Sequence, residues 1–534
     1  MQNPLSKNKK ISITLIVISL LISIVPIMKV EAQSASVEIN SSSLTSQNIG
    51  YYGSGFLLTL LPQSAPKNLL SDIKPRLFRT QNPWVFQDNS YQFAISNGAE
   101  VQYLVYETFF TANAYQRWPG DDGDWSIWEN SVRTAVQQVL NAGLKVEYEI
   151  WNEPDYGVFW QRDRDRFFET WKRGFNIIKE LAPGASIAGP SLSSFSMDYL
   201  SSFLNYAKAN NVLPDTIVWH ELDRNQKYTQ IENKLNEFRI WAKNNGVNYK
   251  RVVINEIVAD YDQYKPGTLV NFLSILERNQ LLGVHSCWED PNNGGSSTCW
   301  NKTLNGIVSG NYKPRSAWWA YKYYAELSGK LLNFKINIGN LGGVGSASTN
   351  SKEVKLLLGV DATGSPVSIN YKSPWNSQNI KLSIDSYKLS DRSGNETNPE
   401  IKNQTIDYDS NGTTINLDNL DPYQAVYVKI IEVSENSGNA SLSENPSANS
   451  AEECNETQIF KDNKCIPAAC KADITNDGNL DLIDFGNIVN KFNKEVNCEM
   501  DITKNSDESG EFCTLNLLDL SEFARFYKVE NACL

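Results

Sequence analysis

Histidine is scarce in this sequence, with only His220 and His285 among 534 residues. Two histidines are too few for a histidine-rich catalytic zinc site, so we expect no cofactor for catalysis. Positive charge is also in short supply, because 49 basic residues against 61 acidic ones give a net charge of −12. That charge argues against nucleic acid or an anionic membrane as the partner.

Long apolar runs are lacking except at the N-terminus. There, three lysines precede an apolar run over residues 11–28, and Val30-Glu31-Ala32 offers the small residues of a cleavage site. This layout predicts a secretory signal peptide over residues 1–32, and hence a secreted or extracellular protein with no membrane attachment after cleavage. An uncleaved anchor is the alternative, because the run approaches the ~20 residues of a membrane span. Pro26 favours cleavage.

Cysteine is absent before residue 287. Cys287 and Cys299 lie close together, and the other six cysteines fall between Cys454 and Cys533. An even number of cysteines behind a signal peptide predicts disulfides. The six distal cysteines would staple a module that is too small to hold a large core.

From residue 48 to about residue 329, short apolar runs alternate with longer amphipathic ones, the pattern of repeated βα units and a parallel sheet. Eight strands are predicted, at Ile49–Phe56, Arg76–Thr80, Val101–Tyr106, Lys145–Ile150, Ser186–Ala188, Thr216–Trp219, Arg251–Ile254 and Gly283–Ser286. Helices are predicted between them, for example at Arg164–Leu181 and Lys227–Asn244. Eight such units predict an α/β fold, a (β/α)8 TIM barrel over residues 33–330. A doubly wound open sheet would give the same alternation and is the alternative.

Beyond residue 330 the pattern changes to segments rich in Val, Ile, Leu and Tyr between polar turns, which predicts an antiparallel β-sandwich over residues 331–433. The predicted strands are Lys352–Val360, Pro366–Tyr371, Ile380–Leu389 and Gln424–Ile431. Residues 35–40 have the same alternation, and we expect them to add a strand to this sandwich. Residues 434–453, rich in Ser, Asn and Glu, are predicted to be a flexible linker.

The strongest catalytic signal is Trp151-Asn152-Glu153-Pro154, at the carboxyl end of the fourth predicted strand. A TIM barrel displays its reacting groups at that end. A retaining glycosidase needs two carboxyl groups ~5–5.5 Å apart, and Glu256 at the end of the seventh strand supplies the second. A chance match is the alternative for the first motif alone, but a second glutamate in the correct order disfavours it. Glu149 lies inside the strand, and we expect it to be paired within the barrel.

These motifs resemble clan A of the glycoside hydrolases, which carries an Asn-Glu acid/base after strand four and a nucleophilic Glu after strand seven. Within the clan the chain is most similar to family 39, the β-xylosidase and α-iduronidase group, through residues 149–154, Phe159-Trp160 and Ala188-Gly189-Pro190. It departs from the family pattern at residues 219–222, where the family has a His-Ala-Tyr run, and at Ile257, where Trp or Phe usually follows the nucleophile.

The resemblance implies roles for the residues at the strand ends. Glu153 would be the acid/base and Glu256 the nucleophile. Arg79, which ends the second strand, would hold the nucleophile, and Asn152 would donate to the sugar 2-hydroxyl. His220 would lie beside the nucleophile, with a packing histidine as the alternative.

Other residues near the predicted site carry weaker signals. The resemblance implies that Trp288, just past strand eight, is a platform under the sugar, and Cys287 with Cys299 would clamp its loop. Glu107 and Glu221 would either touch substrate or serve packing. No role follows from the sequence for His285.

The sequence therefore predicts a secreted retaining glycoside hydrolase acting on poly- or oligosaccharides. Its fourteen Trp and 11% aromatic content suit sugar binding, because the apolar face of a sugar stacks on a ring. Core packing must account for several of these tryptophans. The alternative function is a non-catalytic carbohydrate-binding or scaffold-attached protein on a degenerate barrel.

The final segment, residues 454–534, is predicted to be a small disulfide-stapled helical module that binds calcium. Residues 473–484 form a twelve-residue loop of the calcium-binding type, with Gly478 at its turn. The predicted ligands are Asp473, Thr475, Asp477, Asn479, Asp481 and Asp484. The loop and the helix after it resemble the first half of a dockerin, which implies a bound Ca²⁺ and a cohesin-type scaffold protein as partner. A disulfide-stapled acidic loop without an ion is the alternative.

Overall fold

The computed structural model describes residues 34–434, except 59–66, 82, 88, 114–115, 225–226 and 338–339, together with four short strands beyond residue 457. The chain divides into two compact units, residues 1–438 and 439–534. The predicted signal peptide, almost all of the predicted linker and the predicted calcium loop lie outside the described residues. Their boundaries, and those of the predicted domains, stay predictions.

Eight parallel strands of the first unit close into a barrel. Two strands precede it, β1 (Ala35–Ile39) and β2 (Leu44–Asn48). The barrel strands are β3 (Gly55–Leu57), β4 (Leu77–Thr80), β5 (Glu100–Leu104), β6 (Glu147–Glu149), β7 (Ser186–Leu192), β8 (Thr216–Glu221), β9 (Arg251–Ile257) and β10 (Leu282–His285). The predicted TIM barrel is confirmed and the open doubly wound sheet is excluded, because β10 pairs with both β9 and β3.

The first barrel strand was predicted too early, from residue 49. Residues 51–54 instead form a turn, in which the Ser54 N–H donates to the Tyr51 carbonyl at 3.0 Å. Tyr51 has φ of 56°, a left-handed conformation that interrupts regular β-strand pairing. The apolar and aromatic character of this stretch therefore comes from packing of the turn rather than from strand pairing.

Helices surround the barrel at α1 (Lys67–Ser71), α2 (Ser90–Ser96), α3 (Tyr106–Asn113), α4 (Ser126–Asn141), α5 (Arg164–Leu181), α6 (Met197–Ala209), α7 (Ile231–Asn244), α8 (Pro266–Asn279) and α9 (Ser316–Glu326). The predicted helix at Arg164–Leu181 is confirmed as α5. The predicted helix at Lys227–Asn244 is a short 3-10 turn, Lys227–Gln230, followed by α7.

Helix α5 shows how the sequence positions a helix against the barrel. The Asp163 side chain caps its N-terminus by accepting from the Arg166 N–H. Buried side chains recur at three- and four-residue spacing along one face, including Phe167, Trp171 and Ile178. A Cβ on Gly189 of β7 would lie 2.3 Å from the Trp171 ring, so the glycine lets this helix approach the strand.

The remaining strands of the first unit are β11 (Glu289–Asp290), β12 (Ser296–Ser297), β13 (Lys330–Leu332), β14 (Lys335–Ile336), β15 (Leu341–Ser348), β16 (Glu353–Val360), β17 (Val367–Tyr371), β18 (Ile380–Leu389), β19 (Glu400–Asp407), β20 (Thr413–Asn416) and β21 (Ala425–Ser434). Strands β13 to β21 build two sheets together with β1 and β2. Their inward side chains, such as Val37, Leu356, Ile369 and Val428, form a separate apolar core.

The N-terminal strands tie the two sheets to the start of the barrel. Strand β1 pairs with β14 in antiparallel fashion and with β17 in parallel fashion. The sandwich is therefore antiparallel except at the β1–β17 pair. Strand β1 reaches its neighbour without a connecting hairpin, so no tight turn imposes the antiparallel direction. Strand β2, which the sequence did not predict, pairs with β13 of the larger sheet.

Helix α8 joins the barrel to the larger sheet. The Gly267 N–H donates to the Tyr423 carbonyl at 2.7 Å, and Ser274 Oγ donates to the Gly343 carbonyl at 2.6 Å. Asn271 Nδ2 reaches the Gly359 carbonyl at 3.2 Å. Hydrogen bonds to the backbone of β15, of β16 and of the segment before β21 hold the sheet against this helix, on the flank of the barrel rather than across its mouth.

In the second unit, β22 (Gln458–Lys461) pairs with β23 (Lys464–Pro467), and β24 (Glu495–Asn497) pairs with β25 (Phe512–Thr514), both in antiparallel fashion. Within the described part of the chain, no helix is both long enough and apolar enough to cross a membrane.

Candidate active site

A cavity of about 490 Å³ opens at the carboxyl ends of the barrel strands. Five of the residues predicted for the site line it: Arg79, Asn152, Glu153, Glu256 and Trp288. The sixth, His220, is fully buried and contacts Glu153. The structure thus brings all six predicted site residues of the barrel together.

Glu153 is held in an unusual backbone conformation just after β6. Its φ is 45°, in the left-handed region that residues other than glycine rarely adopt. Its N–H donates to the Ser191 carbonyl at 2.8 Å. Ser191 has φ of 62° and lies where the register between β7 and β8 shifts. Such strain costs about 1–3 kcal/mol per residue and persists where the surroundings impose it, so the loops after β6 and β7 fix each other.

Glu256 lies in a β-bulge of β9. Trp219 and Glu221 of β8 pair with Ile254 and Ile257 of β9, so β9 contains one extra residue between the two pairs. The same extra residue appears against β10. A bulge breaks the alternation of side chains and re-aims them, and Glu256 faces the cavity. Pairing resumes after the bulge, which is why β9 runs three residues beyond its predicted end at Ile254.

Arg79 connects the two halves of the site. Its Nη1 donates to Glu256 Oε1 at 2.6 Å, and its Nη2 donates to Asn152 Oδ1 at 2.6 Å. Its Nε and Nη2 both reach the Glu149 carboxylate at 2.7 Å. Glu149 is therefore paired inside the barrel, as predicted. Burial opposes the charge of Arg79, but Glu149 and Glu256 together raise its pKa, so the guanidinium stays cationic beside Glu256.

The contact between Arg79 and Asn152 orients the asparagine amide. Because Asn152 Oδ1 accepts from Arg79, the Nδ2 group is left as the donor of this side chain. Asn152 lines the cavity, so its amide can donate to a sugar hydroxyl.

His220 touches both glutamates. Its Nδ1 lies 2.9 Å from Glu153 Oε1 and 3.9 Å from Glu256 Oε1. Burial lowers the pKa of His220 and Arg79 repels the charged ring, but the carboxylates of Glu256 and Glu153 outweigh both and raise it. The hydrogen bond between Nδ1 and Glu153 Oε1 fixes the position of that carboxyl group, whichever of the two groups carries the proton.

The contacts of His220 also limit the separation of the two carboxyl groups. The two Oε1 atoms cannot be farther apart than the sum of their distances to the shared nitrogen. That sum keeps the two carboxyl groups close enough to act on one sugar, as the carboxyl pair of a glycosidase must.

Trp288 is anchored at both its backbone and its ring. Its N–H donates to Thr298 Oγ1 at 2.8 Å, and its Nε1 donates to the Val258 carbonyl at 2.9 Å. Cys287 and Cys299 form the predicted disulfide around this loop. The indole therefore has a fixed orientation in the wall of the cavity.

The two glutamates that the sequence left undecided fall in different places. Glu107 lines the cavity, and burial raises its pKa against the opposing effects of Tyr106 and Arg79. Glu221 is outside the cavity lining and accepts from Trp219 Nε1 at 2.8 Å and from Lys234 Nζ at 2.7 Å. Glu107 can therefore contact substrate, whereas Glu221 serves packing.

The remaining histidine belongs to the core. His285 is buried, and its Nδ1 lies 3.1 Å from the Tyr321 hydroxyl. Burial lowers the pKa of His285 to about 3, so its ring is neutral at ordinary pH.

Sequence reasoning missed several cavity residues. Tyr156 and Phe159 form an aromatic part of the wall, and Gln81, Ser193 and Leu222 complete the loops after three other strands. Tyr156 and Phe159 follow the Glu153 motif within a few residues, and that proximity was the available signal.

Across the described ranges, no group of three His, Cys, Asp or Glu side chains is arranged to hold a metal ion. The six predicted calcium ligands, Asp473 to Asp484, lie outside those ranges.

Comparison with known proteins shows which families and structures this chain is similar to. Residues 120–266, which include Glu153 and Glu256, match the model of glycosyl hydrolases family 39. The chain is 26% identical over 249 residues to a 3-O-α-D-galactosyl-α-L-arabinofuranosidase of Bifidobacterium longum subsp. longum. That match covers 45% of this chain but spans only 20% of the relative's length.

Two solved structures share the fold. One is N2152 from Neocallimastix frontalis, with a TM-score of 0.61, 19% identity, and coverage of 74% of this chain and 99% of that one. The other is a GH39 β-xylosidase from Caulobacter crescentus, with a TM-score of 0.53, 13% identity, and coverage of 74% and 99%. Residues 120–266 therefore match a glycoside hydrolase family 39 domain, and the barrel with its paired glutamates agrees with that match.

Proposed function

We propose that the chain is a retaining glycoside hydrolase that cleaves poly- or oligosaccharides by double displacement. The observation that carries the proposal is that Glu153, after β6, and Glu256, in β9, lie 2.9 and 3.9 Å from the same nitrogen of His220. The buried cation Arg79 touches Glu256 but has no contact with Glu153 among those the structure describes. We assign the nucleophile's role to Glu256, whose carboxylate Arg79 holds, and the acid/base role to Glu153, whose hydrogen bond to His220 offers a partner for proton exchange.

The first step forms a covalent intermediate. A Glu256 oxygen attacks the anomeric carbon while the bond from that carbon to the leaving oxygen breaks. Glu153 transfers its proton to the leaving oxygen, so the aglycone departs as an alcohol. Arg79 holds the Glu256 carboxylate in place through their ion pair, and Asn152 donates to the sugar hydroxyl next to the reacting carbon.

The second step releases the sugar. Glu153, now a carboxylate, accepts a proton from water as the water oxygen attacks the anomeric carbon. The ester bond to Glu256 breaks and its carboxylate is restored beside Arg79. His220 contacts both glutamates throughout and holds the Glu153 carboxyl in reach of the leaving oxygen and then of the water.

The name of the Bifidobacterium longum relative suggests a first candidate for the substrate class, because it specifies α-L-arabinofuranosides that carry a 3-O-galactosyl group. We infer that α-L-arabinofuranosides are substrates of this chain. The cavity is large enough to hold a sugar, and Trp288, Tyr156 and Phe159 give it an aromatic wall.

Kinetics on aryl α-L-arabinofuranosides and a panel of other aryl glycosides test the proposal. Glu256→Ala should lower kcat by on the order of 10⁴ or more, because no other group supplies the covalent bond. Glu153→Gln should lower kcat/KM by about 10²–10⁴ on natural linkages. Glu180→Gln, on the exposed side of α5, is the matched control and should behave as wild type. Equal activity in all four proteins would reject the catalytic assignment and favour a non-catalytic carbohydrate-binding protein.

We also propose that the enzyme is secreted, with residues 1–32 removed as a signal peptide. Residues 454–534 would form a dockerin-like module that binds Ca²⁺ through Asp473, Thr475, Asp477, Asn479, Asp481 and Asp484 and docks on a cohesin-type scaffold. The support is the spacing of oxygen donors in the twelve-residue loop. A thermal melt of the full chain with Ca²⁺ and with chelator tests this. A Tm that is the same in both conditions would contradict calcium binding.

A further inference from the structure

Two tryptophans at the rim of the active site take no part in the proposed mechanism. Trp84 follows β4, Trp300 follows the disulfide loop, and their ring centroids lie 6.3 Å apart. Trp300 is 49% exposed, although burying so large a ring would be favourable. Cys299, next to Trp300 in the chain, lines the cavity, and so does Gln81, three residues before Trp84, so the pair lies beside the site.

The position of this tryptophan pair in the barrel separates it from the acid/base. Strands β10 and β6 are four places apart in the closed barrel and so lie on opposite sides of its mouth. Trp300 follows β10, whereas Glu153 and the exposed Tyr156 follow β6. Trp84 follows β4, which is separated from β10 only by β3. Trp300 therefore lies on the side of the mouth away from Glu153, and Trp84 lies beside it through the contact between the two rings.

The direction of the substrate follows from the chemistry. The leaving group must lie on the Glu153 side, because Glu153 protonates its oxygen. The sugar that becomes bonded to Glu256 lies at Trp288, which the disulfide joins to the segment that ends at Trp300. Any further sugar on the glycone extends away from Glu153, towards the two tryptophans.

From this arrangement we infer that Trp84 and Trp300 form a second glycone subsite, which binds the sugar attached to the one in the catalytic position. The inference rests on the proposed function and names the substrate more closely: a glycan with at least two sugars on the glycone side, released as a di- or longer saccharide. The apolar face of a sugar ring covers an exposed indole, and the polar edge stays in water.

The test compares two 4-nitrophenyl glycosides with the same leaving group, the α-L-arabinofuranoside and its 3-O-α-D-galactosyl derivative. Wild type should have a higher kcat/KM on the diglycoside. Trp300→Ala should reduce the ratio of the two kcat/KM values by about ten-fold, the size of one aromatic contact with its buried area. Trp300→Tyr should restore most of the ratio, and Ile240→Ala, an exposed residue of α7, should leave it at the wild-type value.

The outcomes separate this inference from the proposed function. If wild type hydrolyses both glycosides but shows no preference, or if Trp300→Ala keeps the wild-type ratio, the second subsite is rejected while the glycosidase stands. If wild type hydrolyses neither glycoside nor any other aryl mono- or diglycoside of the panel, the proposed function fails and the subsite fails with it.

Discussion

Arg79 and Glu256 form an ion pair with 2.6 Å between Nη1 and Oε1, and the arginine is almost completely buried. The same guanidinium holds Glu149 with two further hydrogen bonds. One cation therefore serves both the catalytic carboxylate and a structural one. Charge balance in the barrel mouth depends on it, because each carboxylate would be costly to bury alone.

Replacement of Arg79 should separate these two functions. Arg79→Met leaves Glu149 buried without a partner, and the free energy of unfolding should fall by about 3–5 kcal/mol. The double variant Arg79→Met, Glu149→Met should regain most of that stability, yet remain inactive because Glu256 still lacks its counter-ion. Urea unfolding and kcat/KM of both variants check this. Recovery of activity along with stability would show that Arg79 acts through the fold alone.

The role of Glu153 predicts a dependence on the leaving group. Glu153→Gln cannot protonate the departing oxygen, so natural linkages should lose about 10²–10⁴ in kcat/KM. A 2,4-dinitrophenyl glycoside needs no protonation and should lose far less. A series of aryl glycosides with leaving groups of rising pKa measures the slope. Wild-type and variant slopes that coincide would exclude Glu153 as the acid.

The two histidines should give opposite pH dependences of stability. The folded protein binds a proton on His220 more tightly than the unfolded chain does, because its pKa is raised from 6.5. That stabilisation is fully present below about pH 6.5 and is lost as pH rises through the folded-state value. Urea unfolding between pH 5 and 9 measures this effect. The free energy of unfolding of wild type should exceed that of His220→Gln below pH 6.5, and the difference should shrink as the pH rises above 6.5. A difference in free energy of unfolding that is constant across this pH range would contradict the raised pKa.

His285 should act in the opposite sense on the acid side. Its folded-state pKa of about 3 lies below the ordinary 6.5, so the unfolded chain takes up the proton first. Wild-type stability should therefore fall as pH drops from about 6.5 towards 3, by up to a few kcal/mol. His285→Gln should be less sensitive to acid over that window. Parallel curves for the two proteins would mean that His285 titrates normally in the fold.

The Cys287–Cys299 disulfide should couple loop order to substrate binding. It closes a loop with a sequence separation of 12, and cross-links of that size stabilise by about 3 kcal/mol. The double variant Cys287→Ser, Cys299→Ser should unfold at lower urea and show a higher KM, because Trp288 lies within the released loop. Its kcat should fall less than its kcat/KM. A variant with wild-type KM would show that the order of this loop does not affect substrate binding.

Much of the site could be predicted because it follows from local rules. The alternation of βα units predicts the barrel, and the rule that reacting groups follow parallel strands brings Arg79, Glu153 and Glu256 to one mouth. Glu149 was correctly excluded because its position within a strand turns it into the barrel. These inferences need only spacing and strand order.

Other features depend on contacts between strands, and the spacing of residues along the sequence does not predict those contacts. The bulge at Asn255 and Glu256 arises from the register with β8 and β10, and the left-handed backbone of Glu153 depends on Ser191 of another strand. The parallel pairing of β1 with β17 joins segments more than 300 residues apart. The exposure of Trp300 likewise follows from tertiary packing, since nothing in its local sequence distinguishes it from a core tryptophan.

Trapping of the covalent intermediate is the most direct test of the paired glutamates. An activated 2-fluoro-2-deoxy glycoside of a sugar that the enzyme hydrolyses forms the ester quickly and loses it slowly, so the labelled residue can be found by peptide mass spectrometry. The account predicts one glycosyl group per chain, on Glu256, in wild type and in Glu153→Gln. A label on Glu153 or Glu107, or wild-type enzyme that turns over the sugar without forming any ester, would contradict it.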